Sequence, residues 1–184
     1  MDDALSFGDE LIEGMVESGD PATQLGPVLT AAAARRMTDA VAQALREGAT
    51  VVTGGGEIDV VPGGHYVAPT VVTGVAPGSD ITRQELFGPI VTVQAFDTRD
   101  EVIALANDIP YGLAASVWTT RLDDALALAR GVEAGLVSVG AYSEGDLAMP
   151  FGGWKQSGFG GVEKSLRAFE QWTREKSVWI RHRP

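Results

Sequence analysis

The sequence predicts an α/β protein organised around a parallel sheet. Segments with helical periodicity alternate with β-branched segments, and between residues 89 and 139 they follow a β-α-β rhythm. This rhythm is typical of parallel strands joined by crossover helices. Hydrophobic residues make up 45% of the chain, as in ordinary globular proteins. No apolar run approaches the roughly 20 residues that a membrane-spanning helix needs.

Two helices are predicted near the start of the chain. The first covers Leu5–Val16, where apolar residues stand at helical spacing although two glycines interrupt them. The second follows Thr30, a suitable N-cap, and ends near Glu47. Gly48 can adopt the left-handed conformation of a helix C-terminus. A short strand over residues 49–53 comes next.

Strands and helices then alternate to the end of the chain. Tyr66–Val75 reads as a strand that Pro69 places at a sheet edge, because proline cannot donate a ladder hydrogen bond. A helical turn follows Ser79. The remaining predicted elements are a strand over Pro89–Phe96, a helix over Arg99–Asn107, a strand over Ala114–Trp118, a helix over Asp123–Val132, a strand over Leu136–Val139, a helix over Glu163–Trp172 and a strand over Ser177–Arg181.

Composition excludes several classes of function. The chain has no cysteine, which rules out disulfides, thiolate metal sites and a cysteine nucleophile within these residues. The net charge of −11 argues against nucleic acid as a partner. The acidic start of the chain lacks the basic and apolar regions of a signal peptide, so we expect a cytoplasmic protein that does not associate with membranes.

Charge is distributed unevenly along the chain. Residues 1–153 contain 7 basic and 22 acidic side chains, whereas residues 154–184 contain 7 basic and 3 acidic ones. A basic C-terminal segment of this kind fits against an acidic neighbour. An ordinary mixed surface explains the same distribution equally well.

One candidate binding segment lies immediately before a predicted strand, at residues 83–90. It places a carboxylate, Glu85, and a ring, Phe87, beside a Gly-Pro turn, at a sheet edge of the kind where ligands of α/β proteins collect. A carboxylate can accept hydrogen bonds from a ribose diol, and a ring can pack against a flat heterocycle. An ordinary turn is the alternative that the local pattern favours.

A second candidate segment is the glycine-rich stretch 149–160. Four glycines between residues 152 and 160 alternate with aromatic residues, so the backbone can approach other groups closely while the rings anchor it. A packed structural loop is the simpler interpretation. No metal site is predicted, because His65 and His182 lie far apart, and Ser157 does not stand in a nucleophile-elbow motif.

Together the two segments resemble the aldehyde dehydrogenase superfamily. Residues 85–89 (Glu-Leu-Phe-Gly-Pro) are similar to its E-x-F-G-P motif, and residues 150–160 are similar to its C-terminal signature. Shorter similar segments stand in the family's order at residues 25–29, 54–56, 69–71 and 111–114. The likeness covers about residues 20–180. Residues 144–146 and 164–166 are most similar to bacterial γ-glutamyl-γ-aminobutyraldehyde dehydrogenases, which act in polyamine breakdown.

The resemblance implies a role for three residues. Glu85 would hold the nicotinamide ribose of NAD or NADP, Phe87 would contact the nicotinamide side, and Phe151 would line the aldehyde pocket. The implied fold is the parallel-sheet part of the family's catalytic domain over residues 1–172, followed by an oligomerisation strand within residues 173–184. The family's Rossmann cofactor domain has no counterpart in the chain.

The chain also departs from the family. The family reaction needs a cysteine thiolate to attack the aldehyde and a glutamate to activate water, and both precede the region that this chain resembles. We therefore expect no catalytic residue here, inactivity of the chain alone, and a partner that is either a cysteine-containing N-terminal half or a second copy. The alternative is a non-catalytic assembly or regulatory module derived from the same fold.

Overall fold

The structure is a computed structural model that describes residues 25–142 and 145–182. The chain divides into two compact units, of which the first ends at Phe96 and the second begins at Asp97. The predicted helix Leu5–Val16 lies outside the described residues. No helix in the described ranges is long and apolar enough to cross a membrane.

The described part of the first unit contains two helices and five strands. They are α1 (Ala31–Arg46), β1 (Thr50–Thr53), β2 (Glu57–Ile58), β3 (Tyr66–Val67), β4 (Thr70–Thr73), α2 (Asp80–Arg83) and β5 (Ile90–Val93). Strand β4 is central in a three-stranded sheet, antiparallel to β1 and parallel to β5. The short strands β2 and β3 form a separate antiparallel pair.

Helix α1 supplies one side of the core of the first unit. The predicted N-cap is confirmed, because the Thr30 hydroxyl accepts a hydrogen bond of 3.1 Å from the Ala33 amide. The helix buries Ala34, Met37, Val41 and Ala44 at helical spacing. They belong to one apolar cluster with Val67, Val72, Val75, Ile81 and Leu86 from the rest of the unit. Burying a large apolar side chain of this kind contributes about 1.5–3 kcal/mol.

The predicted edge position of the Tyr66–Val75 segment is wrong. Pro69 lies between β3 and β4 rather than inside a strand, so its missing N–H removes no hydrogen bond from the β4 ladder. The amide of the next residue, Thr70, donates to the Pro89 carbonyl at 2.8 Å. Strand β4 is therefore free to pair on both sides.

The second unit contains the other described elements. They are α3 (Arg99–Asn107), β6 (Tyr111–Gly112), β7 (Ala114–Val117), α4 (Leu122–Gly131), β8 (Leu136–Val139), β9 (Trp154–Lys155) and α5 (Arg167–Glu170). Strands β7 and β8 are parallel and α4 connects them, which confirms the second of the two β-α-β units predicted between residues 89 and 139. The first is wrong, because β5 pairs with β4 in a different sheet from β7, and the order of elements along the chain does not fix which strands pair. Strands β6 and β9 form an antiparallel pair.

The helix predicted over Glu163–Trp172 is shorter than expected. Only Arg167–Glu170 is helical. Lys164 and Ser165 have φ angles of 61° and 57°, in the left-handed region that a right-handed helix cannot include. The Ser165 amide instead donates to the Leu147 carbonyl at 2.9 Å. The first part of this segment is therefore a loop.

The strand predicted over Ser177–Arg181 is not formed within the chain. Residues 173–182 have no assigned helix or strand, and Val178, Trp179 and Ile180 are 70%, 89% and 80% exposed. A strand needs a neighbour that satisfies its backbone groups, and no strand of the described residues pairs with this segment. Pairing with strands of another chain stays a prediction.

A hydrogen bond connects the end of α1 to the start of α2. The Ser79 hydroxyl donates to the Glu47 carboxylate at 2.5 Å, and the Gln43 amide donates to the other carboxylate oxygen at 2.7 Å. These bonds stabilise the charged form. The hydrogen bond from Ser79 is the largest cause of a Glu47 pKa below the ordinary value. The hydrogen bond from Gln43 and the nearby charge of Arg46 lower this pKa further.

We expect Ser79→Ala to reduce stability in a pH-dependent manner. The pKa of Glu47 is lower in the folded state, so its contribution is present above the pKa of the unfolded chain and is lost as pH falls through the folded value. Urea unfolding midpoints at several pH values should separate variant and parent near neutral pH and converge in acid. Ser177→Ala, which alters an exposed serine, is the control. A difference between the urea midpoints of variant and parent that grows as pH falls would contradict the assigned role of the Ser79–Glu47 hydrogen bond.

Candidate functional site

The loop over residues 84–89 connects α2 to β5 and carries two predicted site residues. Three contacts hold its backbone within the first unit. Leu86 is buried in the core, and its carbonyl accepts a hydrogen bond of 2.9 Å from an Arg36 guanidinium nitrogen. Gly88 lies against the fully buried Met37, where a Cβ would overlap the thioether. The Pro89 carbonyl accepts from the Thr70 amide. The loop is therefore fixed on its inner side.

Glu85 and Phe87 flank the buried Leu86 and are themselves exposed. Phe87 is 84% exposed and has a φ angle of 60°. A phenylalanine in the left-handed region costs about 1–2 kcal/mol, and such residues cluster at functional sites. An exposed ring on a strained backbone makes no contribution to the core that would offset this cost. Glu85 and Phe87 are thus both exposed on a loop whose backbone is anchored, and their roles at a cofactor stay predictions.

This loop offers one acidic acceptor and one aromatic surface. An ionised carboxylate accepts hydrogen bonds at two oxygens, and an aromatic face can pack against a planar group. Within residues 25–142 and 145–182, no group of three or more acidic, histidine or cysteine side chains is arranged to hold a metal ion. The loop therefore presents one hydrogen-bond acceptor group and one aromatic side chain to solvent.

The glycine-rich segment of the second unit is packed backbone against backbone. A Cβ on Gly135 would overlap the Gly152 carbonyl, and a Cβ on Gly153 would overlap the backbone of Ser157. The Ser157 hydroxyl accepts a hydrogen bond of 3.1 Å from the Gly112 amide. These approaches require glycine because any side chain would push the segments apart. The packed-loop interpretation therefore describes the glycines correctly.

Lys155 is a further anchor of this segment, and no local sequence pattern indicates it. Its ammonium group donates to the Asn107 carbonyl at 2.8 Å and to the Ile109 carbonyl at 3.1 Å, both at the C-terminal end of α3. It also lies 2.7 Å from a Glu133 carboxylate oxygen. A cation is favourable at a helix C-terminus because unsatisfied carbonyls concentrate there. Lys155 therefore ties β9 to the end of α3.

Asn107 extends this network to α4. Its side-chain amide donates to the Gly131 carbonyl at 2.8 Å, and its side-chain oxygen accepts from the Glu133 amide at 2.8 Å. The ends of α3 and α4 are thus joined by one side chain.

Phe151 lies at the start of the glycine-rich segment and is half-buried. Its amide and carbonyl both pair with Glu163, at 2.8 and 2.6 Å. The Lys164 ammonium group lies 5.0 Å from the ring centroid, within the range of a cation–π contact. The ring borders a cavity of about 200 Å³ that is also lined by Gly153, Phe159 and other residues of the same unit. Phe151 therefore borders a small cavity, and its role in an aldehyde pocket stays a prediction.

Comparison with known proteins gives the class of this chain. The model of the aldehyde dehydrogenase family matches residues 7–178. The chain belongs to the aldehyde dehydrogenase family, and its mixed α/β fold with parallel sheet elements is part of that family's fold.

Two curated relatives match most of the chain. The aminoacetaldehyde dehydrogenase of Pseudomonas aeruginosa is 46% identical over 161 residues, which are 88% of this chain and 32% of that protein. The betaine aldehyde dehydrogenase of Rhizobium leguminosarum is 40% identical over 97% of this chain and 35% of that protein. The chain thus spans about a third of the length of the curated relatives that it matches.

Solved structures give the same result. The indole-3-acetaldehyde dehydrogenase of P. syringae, in complex with NAD⁺ and IAA, superposes with a TM-score of 0.83 at 44% identity over 93% of this chain and 35% of that one. An aldehyde dehydrogenase from Bacillus cereus superposes with a TM-score of 0.84 at 36% identity, over 97% of this chain and 35% of that one. The matched residues of this chain therefore correspond to about a third of each of these structures.

We expect Lys155→Met to lower the stability of the protein by about 1–3 kcal/mol, because hydrogen bonds from a charged group contribute about 1.5–3 kcal/mol each without being additive. The methionine keeps the length of the side chain and removes the donors to Asn107 and Ile109. Urea unfolding measures the loss. Lys176→Met, at an exposed lysine in residues 173–182, should change the midpoint little. Equal effects of the two substitutions would show that the Lys155 contacts add no stability.

Proposed function

We propose that this chain supplies the nicotinamide-ribose contact and part of the aldehyde pocket of an NAD-dependent aldehyde dehydrogenase, which oxidises an aldehyde to a carboxylic acid. The observation that carries the proposal is the loop at residues 84–89, on which Glu85 and Phe87 are exposed although the backbone between them is anchored in the core. A rigid support with exposed polar and aromatic side chains is typical of a binding site.

The residues of this loop fit a nicotinamide dinucleotide in chemical type. The Glu85 carboxylate would accept hydrogen bonds from the ribose hydroxyls, and the Phe87 ring would pack beside the nicotinamide. When bound, NAD accepts the hydride that leaves the substrate. NAD rather than NADP is proposed because structural relatives at 44% and 42% identity are described as complexes with NAD⁺.

The nucleophile of the reaction must come from outside these 184 residues, since they contain no cysteine. In the proposed enzyme a cysteine thiolate elsewhere in the protein attacks the aldehyde carbon, and a general base activates water to release the acid. The contribution of this chain is binding and orientation. A thiolate of this kind stays reduced in the cytoplasm, which is the compartment that we propose.

The proposed substrate is an aldehyde that carries an amino or ammonium group. Three observations support this class. Relatives at 46% and 40% identity are described as acting on aminoacetaldehyde and betaine aldehyde. Residues 144–146 and 164–166 resemble dehydrogenases of γ-glutamyl-γ-aminobutyraldehyde, an intermediate of polyamine breakdown. The net charge of −11 also favours a cationic substrate.

A partner surface is proposed at the C-terminal end of the chain. Large apolar side chains are at least 70% exposed there, namely Leu166, Phe169, Trp172, Val178, Trp179 and Ile180. An exposed apolar surface of this kind is usually covered by another protein surface. We propose that the cysteine-containing part of the enzyme, or a second copy of the chain, covers it. If no cysteine-containing partner exists, the chain is a non-catalytic assembly module of the same fold.

Native mass spectrometry of the protein isolated gently from its own cells tests the proposed function. We expect to find the chain either as part of a longer cysteine-containing polypeptide or in a complex with a separate one. This enzyme should form NADH when an amino aldehyde is added. Isolation of the chain alone or only with copies of itself, without such activity, would support the assembly module instead. Aldehyde oxidation by the pure 184-residue chain would contradict the assignment of the nucleophile to another segment.

In the complete enzyme, Glu85→Gln should raise the KM for NAD about 10-fold, because a hydrogen bond to a charged group contributes about 1.5–3 kcal/mol and the amide retains one acceptor. Initial rates of NADH formation at varied NAD measure the change. Glu57→Gln is the matched control, since Glu57 is an exposed glutamate of β2 in the same unit. An unchanged KM for NAD in the Glu85 variant would sink the proposed cofactor contact.

A further inference from the structure

We infer that Arg36 is a positioning residue for the loop at residues 84–89, and through it for the binding of NAD. The effect on NAD binding rests on the proposed function, whereas the positioning of the loop does not. The Arg36 guanidinium donates to the Leu86 carbonyl at 2.9 Å. Leu86 is the residue between Glu85 and Phe87, so the contact holds the backbone at the centre of the proposed binding loop. Arg36 itself does not need to touch the cofactor for this role.

The hydrogen bond acts on the peptide that leads into the strained residue. The Leu86 carbonyl and the Phe87 amide share one planar peptide unit. Fixing the carbonyl therefore restrains rotation of this unit, and with it the φ angle of 60° at Phe87. A non-glycine residue keeps such a conformation only when its surroundings impose it. A hydrogen bond from a charged donor is among the stronger contacts available for this purpose.

Helix α1 is a firm base for the arginine. Arg36 itself is exposed, whereas Ala34 and Met37 of the same helix are fully buried and fix the helix in the core. Met37 in turn lies against Gly88 at the other end of the loop. Two consecutive residues of one helix thus contact the loop on either side of Phe87. The buried leucine between the exposed residues completes the arrangement.

The neighbouring Arg35 provides a matched control. It lies one position earlier on α1, is exposed, and its guanidinium forms no hydrogen bond or ion pair with the residues that the structure describes. Substitution of either arginine by methionine removes the same charge from the same helix and keeps a similar length and helix propensity. Only the change at position 36 removes the donor to Leu86.

The first measurement is hydrogen exchange resolved to single amides in the protein as isolated. The Ile90 amide donates to the Gly88 carbonyl at 2.8 Å, so its protection reports on the loop. Arg36→Met should speed its exchange about two- to tenfold, in line with the loss of one hydrogen bond. The amide of Val72 in the sheet, Arg35→Met and the conservative Arg36→Lys should all stay near the parent rates. The exchange readout does not depend on activity.

The second measurement is steady-state kinetics of the complete enzyme. Arg36→Met should raise the KM for NAD about two- to tenfold with a smaller change in kcat, because the loop binds the cofactor without taking part in bond making. Arg36→Lys should recover most of the loss, since it keeps a charged donor. If the methionine variant does not fold, Arg36→Gln is tested by the same criteria.

The outcomes distinguish the inference from the function on which it rests. Unchanged Ile90 exchange and unchanged KM in a folded Arg36→Met protein overturn the inference. Equal effects of Arg35→Met and Arg36→Met also overturn it, since they point to charge alone. If Arg36→Met speeds the exchange while neither it nor Glu85→Gln alters the KM for NAD, Arg36 positions the loop but the proposed cofactor site is wrong.

Discussion

The packing of the Met37 side chain against Gly88 brings the loop at residues 84–89 close to helix α1. Met37 is fully buried at the middle of α1, and any Cβ at position 88 would overlap its side chain. Gly88 is not in the left-handed backbone region, and the absence of a side chain leaves room for the Met37 thioether, which would have to shift to admit a Cβ. The buried Leu86, whose carbonyl accepts a hydrogen bond from Arg36, precedes this approach, and strand β5 follows it.

The second unit is held together by a different set of contacts. Its glycine-rich segment is held by contacts between backbones, as at Gly135 and Gly152, and by the ammonium group of Lys155 on the carbonyls at the end of α3. Few fully buried apolar side chains are found among its described residues. Among its described residues, the glycine-rich segment is therefore held by hydrogen bonds and close backbone approach more than by a large apolar core.

Local patterns in the sequence were sufficient for most elements but not for the contacts between them. Helix α3 begins and ends where predicted, because Thr98 caps it and apolar spacing continues to Asn107. The central position of β4 was missed, since strand pairing is a non-local property. The helix over residues 163–172 was overestimated because propensity does not reveal the left-handed backbone at Lys164 and Ser165.

The same limit applies to the candidate site. Glu85 and Phe87 were identified from their motif, whereas Arg36 contacts the loop from 50 residues away and Lys155 reaches carbonyls 46 and 48 residues earlier. A local pattern does not show which distant carbonyl a basic side chain will reach. The placement of Met37 on the buried face of α1 was the available signal, because it implies that the adjacent Arg36 lies at the margin of the core.

The backbone of Phe87 sets stability and binding against each other at a single position. Glycine or asparagine would adopt a φ angle of 60° at lower cost, so replacement of the exposed ring by either residue should favour folding. The ring itself is what the proposed ligand contact needs. Selection of variants for thermal resistance alone would therefore drive position 87 toward glycine or asparagine. If selection also required activity and an aromatic residue persisted at this position, the result would reveal a trade-off between stability and binding.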